Sequence, residues 1–98
     1  MSEGLMTEVD TQPVVADAAN IRERVVVSPC SGRFHPLPPE SFTTEGEWVE
    51  PGQVLAEVHN ADTVVEVRSA FRGWVMGMLA LDGQPVKDGD ALLWIWSA

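Results

Sequence analysis

Basic side chains are scarce in this sequence: lysine and arginine total 6 against 15 aspartates and glutamates, a formal net charge of −9 over 98 residues. A surface of that sign repels phosphate backbones and anionic headgroups, so neither nucleic acid nor a membrane is expected as a partner. Cysteine is nearly missing as well. Cys30 alone cannot close an internal disulfide, and with no Cys or His companions at ligand spacing it supports no zinc site. It reads as a small buried hydrophobe. No apolar run reaches the roughly 18 residues of a membrane span, and "MSEGLMTEVDTQPVVADAAN" has neither the basic nor the apolar region of a secretory leader. The expected compartment is the cytoplasm, and the length suits one small domain.

Two regions are present. Residues 1–24 begin with Glu3, Glu8, Asp10 and Asp17 and no basic partner before Arg22, and they lack periodicity, which predicts a mobile acidic tail. From Val25 to Ala98, short runs rich in Val, Leu, Ile and Trp are punctuated by Gly, Pro and Asp, with no amphipathic window long enough for a helix. The fold class is therefore all-β.

An internal repeat organises this β region. "GEWVEPGQVLAEV" (Gly46–Val58) overlays "GQPVKDGDALLWI" (Gly83–Ile95) at an offset of 37, pairing Gly52 with Gly89, Leu55 with Leu92 and Val58 with Ile95. Upstream, "SPCSG" (Ser28–Gly32) overlays "SAFRG" (Ser69–Gly73) at an offset of 41. Gly52 and Gly89 follow Pro51 and Asp88, a turn setting in which a residue without Cβ takes positive φ without strain. One half cannot bury its apolar face alone. Two pseudo-twofold-related half-domains closing into a flattened β-sandwich or barrel satisfy both, with residues 59–63 as the exposed hairpin between them.

The order "VVSPCSGRF…EGEWVEPGQVLAEV…VVEVRSAFRGWV…DGQPVKDGDALLWI" closely resembles the biotinyl/lipoyl carrier domain family, with biotin carboxyl carrier proteins the nearer branch, over Val26 to about Trp96. The Pro-rich "FHPLPPESF" stands where biotinyl domains carry a thumb loop, and is shorter. The resemblance implies a modified lysine, flanked by methionines, at the hairpin tip. Here the hairpin is His59, Asn60, Ala61, Asp62 and Thr63, with Asp62 at the lysine's place. A carboxylate offers no amine for an amide to biotin or lipoate, so no cofactor is expected. Lys87 is the sole lysine, and the pseudo-symmetry is expected to set it at the end opposite the hairpin.

Candidate chemistry is sparse. His59 and Asp62, three apart, form a conceivable acid–base pair, and His35 sits in the Pro-rich stretch. These three are weak catalytic candidates beside the plainer reading as solvated turn residues, and no nucleophile set or metal spacing accompanies them. Tryptophan carries more information. Alternation turns Trp94 and Trp96 outward if Ile95 points inward, and Trp48 and Trp74 also fall on outward positions. Four such rings predict a protein interface or self-association, unless the tail or the Pro-rich loop covers them. Two functions follow. One is an accessory module, without prosthetic group, docking on an acyl-CoA carboxylase or other acyl-transfer subunit. The other is a repurposed small enzyme or ligand binder using a cleft near the hairpin and Pro-rich loop.

Overall fold

A computed structural model describes residues 22–98, so residues 1–21 of the expected tail lie outside the described residues. Nine strands follow in order: β1 (Glu23–Val27), β2 (Gly32–Pro36), β3 (Phe42–Thr43), β4 (Gly46–Val49), β5 (Val54–Asn60), β6 (Thr63–Arg68), β7 (Gly73–Met78), β8 (Pro85–Val86) and β9 (Ala91–Ser97). The first strand takes in Glu23 and Arg24, which the sequence had placed in the tail. All regular structure among the described residues is strand. Five strands form one sheet in the order β1-β9-β7-β4-β3, and four form the other in the order β6-β5-β2-β8, with antiparallel pairing throughout.

The repeat and the sheets describe one symmetry. Replacing each strand of the order β1-β9-β7-β4 by its repeat mate gives β6-β5-β2-β8, which is the second sheet. Each sheet is therefore built from both halves of the chain, and among the described residues β3 is the one strand without a mate. Hydrogen bonds repeat as well: Gly52 N–H donates to Ser69 O and Gly89 N–H to Ser28 O, while Ser69 N–H donates to Gln53 O and Ser28 N–H to Asp90 O. Both turns close with an i to i+3 bond (Gln53 to Glu50, Asp90 to Lys87) and carry a positive-φ glycine at the third position, the type II pattern. One pair of bulges matches, since register shifts between Val54 and Ala56 on β5 and between Ala91 and Leu93 on β9, while a further shift between Trp94 and Ile95 against β7 has no counterpart on β2.

Those bulges turn two consecutive residues inward in each copy, Leu55 with Ala56 and Leu92 with Leu93. The core then assembles from mates: Val26 and Val67, Val49 and Val86, Val58 and Ile95, with Phe34 filling the centre and Cys30 and Val75 packed against the cluster. Each fully buried aliphatic or Phe side chain contributes about 1.5–3 kcal/mol. Ser28 and Ser69 are buried beside it and satisfied, their hydroxyls donating to Cys30 O and Phe71 O. Close packing also explains Gly32 and Gly73. A Cβ on Gly32 would lie 2.6 Å from His59 O, and one on Gly73 would lie 2.1 Å from Trp96 O, again mates of one another.

Interleaving settles which features share an end. Asn60 donates to Ser31 O, Gly32 pairs with Val86, and Gly89 donates to Ser28 O. The turn bearing Lys87 therefore sits at the hairpin's own end, correcting the expected placement. At the other end Ser97 N–H donates to Arg22 O and Ala98 N–H to Arg72 O, beside the Glu50–Gln53 turn.

Candidate functional site

Strand pairing continues to Asn60 and Thr63, so the hairpin loop is only Ala61–Asp62, tighter than the five-residue link expected. Ala61 has φ 53° and is the only non-glycine residue with positive φ among those described. A positive φ at the first central position alone is the type II′ pattern, where glycine is preferred. An alanine there costs about 1 kcal/mol. The side-chain amide of Asn60, bonded to Ser31 O at 3.0 Å, braces the loop from below. Asp62 stands at the tip, exposed.

Asp62 is not the partner of His59. The His59 ring, through Nε2, bonds Glu57 Oε1 at 2.8 Å along the same strand face. His35, expected in a loop, belongs to β2, directly opposite Glu57 and diagonal to His59. Its Nδ1 bonds Asp82 Oδ1 at 2.9 Å, and the two imidazoles lie 4.4 Å apart, centroid to centroid. The structure thus joins two of the three weak candidates and separates the third, while adding Glu57 and Asp82, which the sequence reading missed. The pairing of Arg33 with His59 mirrors that of Trp74 with Trp96, but the mate rule stops there, because the register shift between Trp94 and Ile95 against β7 is not repeated where His35 meets Glu57.

The Pro-rich stretch leaves the far end of β2. Leu37 N–H donates to Leu55 O, and Trp48 N–H to Ser41 O, so hairpin and Pro-rich segment depart from opposite ends of the β2–β5 ladder.

On the five-stranded sheet the tryptophans share the outer face. Trp48, Trp74 and Trp96 form one cross-strand row, ending at Glu23 on β1. Trp48 and Trp74 meet edge to face at 4.9 Å, and their indole N–H groups donate to Glu50 Oε2 and Thr43 Oγ1. Trp94 lies over Gly77, where a Cβ would come within 2.9 Å of the indole nitrogen. Mutual packing leaves three rings half-buried and Trp96 39% exposed, with Glu23 opposite Trp96 and exposed Val25 opposite Trp94 on β1. The covering expected of the Pro-rich loop is limited to β3, which lines the edge beside β4.

Two carboxyls here are perturbed in opposite directions. Hydrogen bonds from Trp48 and Arg72 hold Glu50 below its ordinary value, whereas burial pushes Glu47 above its own. No three His, Cys, Asp or Glu side chains among the described residues enclose a metal position, and no helix among them is long and apolar enough to cross a membrane.

A two-sheet, pseudo-twofold sandwich with a protruding hairpin between its halves is the architecture of a carrier-type domain. Residues 25–95 match the family model described as "Biotin-requiring enzyme", and the chain belongs to this biotinyl/lipoyl domain family. Comparison with curated proteins gives no match.

Proposed function

We propose that this protein is an unmodified carrier-like module that acts through protein contacts as an accessory subunit of an acyl-CoA carboxylase or related acyl-processing complex in the cytoplasm. The observation that carries this reading is the hairpin itself, paired to its last residue yet tipped by Ala61–Asp62. A prosthetic group needs an amine at the tip, and Lys87, though at the same end, lies in a turn whose backbone is bonded to Ser28 and Asp90. The tryptophan row supplies the contact surface. Buried interfaces are enriched in tryptophan, and a half-exposed row of rings, with Trp94 and exposed Val25 beside it, has the chemistry of a hot spot. The acidic chain favours a partner surface that is basic around an apolar centre.

The intact mass of protein purified from its own cell should equal that of the bare chain, and a biotinyl or lipoyl adduct would sink the reading. Recovery of carboxylase or other acyl-transfer subunits with the tagged protein, and their loss on Trp96→His, is the expected outcome of a native pull-down. Asp62→Lys with methionines at 61 and 63 should restore partial modification by a biotin ligase. Failure in a folded variant would count against carrier geometry at the tip.

A further inference from the structure

We propose that His35 and His59 form a two-imidazole site for a divalent transition metal of the Cu(II) or Ni(II) class, on the outer face of the four-stranded sheet. This goes beyond the docking role and stands or falls separately from it.

Register brings the rings together. Arg33 and His35 on β2 face His59 and Glu57 on β5, so the histidines are diagonal neighbours with centroids 4.4 Å apart. Two imidazoles bound about 90° apart to one ion, at metal–nitrogen distances of about 2.0–2.1 Å, have centroids about 4.5 Å apart; a tetrahedral angle would require about 5.2 Å. The observed spacing matches the square or tetragonal arrangement that Cu(II) and Ni(II) prefer. Only two protein ligands are supplied, which agrees with the lack of a three-residue enclosure and leaves the remaining positions to water.

Each ring is already oriented as a metal-binding histidine usually is, with one nitrogen on a carboxylate and the other left for an ion. Asp82 takes Nδ1 of His35, leaving Nε2, and Glu57 takes Nε2 of His59, leaving Nδ1. The side chains are 38% and 41% exposed, so an ion can reach them from solvent. Nearby charge favours a cation: Glu57, Asp82 and, on β6 opposite Glu57, Glu66 outnumber Arg33 and Arg68. Arg33 is held on Gly83 O, and Arg68 is paired with Glu66.

The test is titration of the full chain with Cu(II) alone, followed by calorimetry and electron paramagnetic resonance. The chain has two histidines, so a two-imidazole signature at one ion per monomer identifies the pair. His35→Gln and His59→Gln should each weaken binding at least tenfold and leave a one-nitrogen signal. Glu57→Gln and Asp82→Asn should weaken it about tenfold while keeping both nitrogens, a pattern that unfolding would not produce. A one-nitrogen or nitrogen-free spectrum in the unaltered chain would overturn the proposal, as would unchanged affinity in His35→Gln. A two-nitrogen signal confined to a dimer, or Zn(II) binding as tight as Cu(II), would also overturn it.

Discussion

On the outer face of the four-stranded sheet stand Arg33, Glu57, His59 and Glu66; at the mated positions of the five-stranded sheet stand Trp74, Trp94, Trp96 and Val25. The two sheets share strand order, the bulges of β5 and β9, and the pairing of Trp74 with Trp96 and of Arg33 with His59, but the register shift between Trp94 and Ile95 against β7 has no counterpart on β2. The first face shows what the architecture accepts when it meets water: charged side chains bonded to one another. The second carries three rings and a valine at these four positions, while at Val64 and its mate Glu23 the difference runs the other way, and its rings pack well enough to stay half-buried without closing the face. One chain thus carries its own control.

The largest effect should fall where the mates agree. Gly73→Ala drives a methyl into Trp96 O and Gly32→Ala drives one into His59 O, backbone contacts that no rotamer change relieves. Each should destabilise the domain by about 3 kcal/mol, at the upper end for overpacking, read from denaturant midpoints. A large cost at one glycine and none at the other would break the symmetry argument.

The next effects should fall where the mates differ. Trp74→Arg copies Arg33 but loses the edge-to-face contact with Trp48. Such contacts are worth about 0.5–1.5 kcal/mol beyond burial, so a total loss of about 2 kcal/mol is expected. Trp96→His copies His59 at the most exposed ring and should cost under about 1 kcal/mol. Both should abolish partner recovery, separating contact surface from stability. Severe unfolding in Trp96→His would instead make the row a structural element.

Much of this comparison was legible in the residues. Offsets of 37 and 41 anticipate two matched halves, and Gly52 and Gly89 mark their turns because only positive φ closes them. Outward Trp94 and Trp96 follow from alternation along β9 after its bulge between Ala91 and Leu93, whereas the further register shift against β7 between Trp94 and Ile95 was not legible. The placement of Lys87 was not legible, because which strands interleave is decided by pairing between distant segments. His35 was obscured by Pro36 and the prolines after it. In the fold Pro36 is harmless: β8 pairs only with Gly32 and Arg33, leaving that side of β2 without a partner strand at Pro36. The His35–Asp82 bond spans 47 residues, and no local pattern encodes it.

The smallest effect offers the sharpest use of a mate. Glu47 lies on β4 between Val75 on β7 and Phe42 on β3, and its partner in the repeat is Gln84, the neutral amide of the same shape. Burial raises the Glu47 pKa above its ordinary 4.5, so the group favours folding when protonated and opposes it when charged. Its favourable contribution is complete below 4.5 and is lost as pH rises through the raised value. Glu47→Gln should therefore be more stable than the parent at neutral pH by about 0.3 kcal/mol, small because the site is partly solvated. The gap should close as pH falls towards the ordinary value. Glu50, held low by Trp48 and Arg72, runs the other way: its contribution is present above the ordinary value and lost as pH falls through the lowered one. Denaturation of parent and Glu47→Gln across that range separates the two, because Glu50 cancels in the difference. A gap that widens on acidification would mean that Glu47 is held by a charge partner rather than disfavoured by burial.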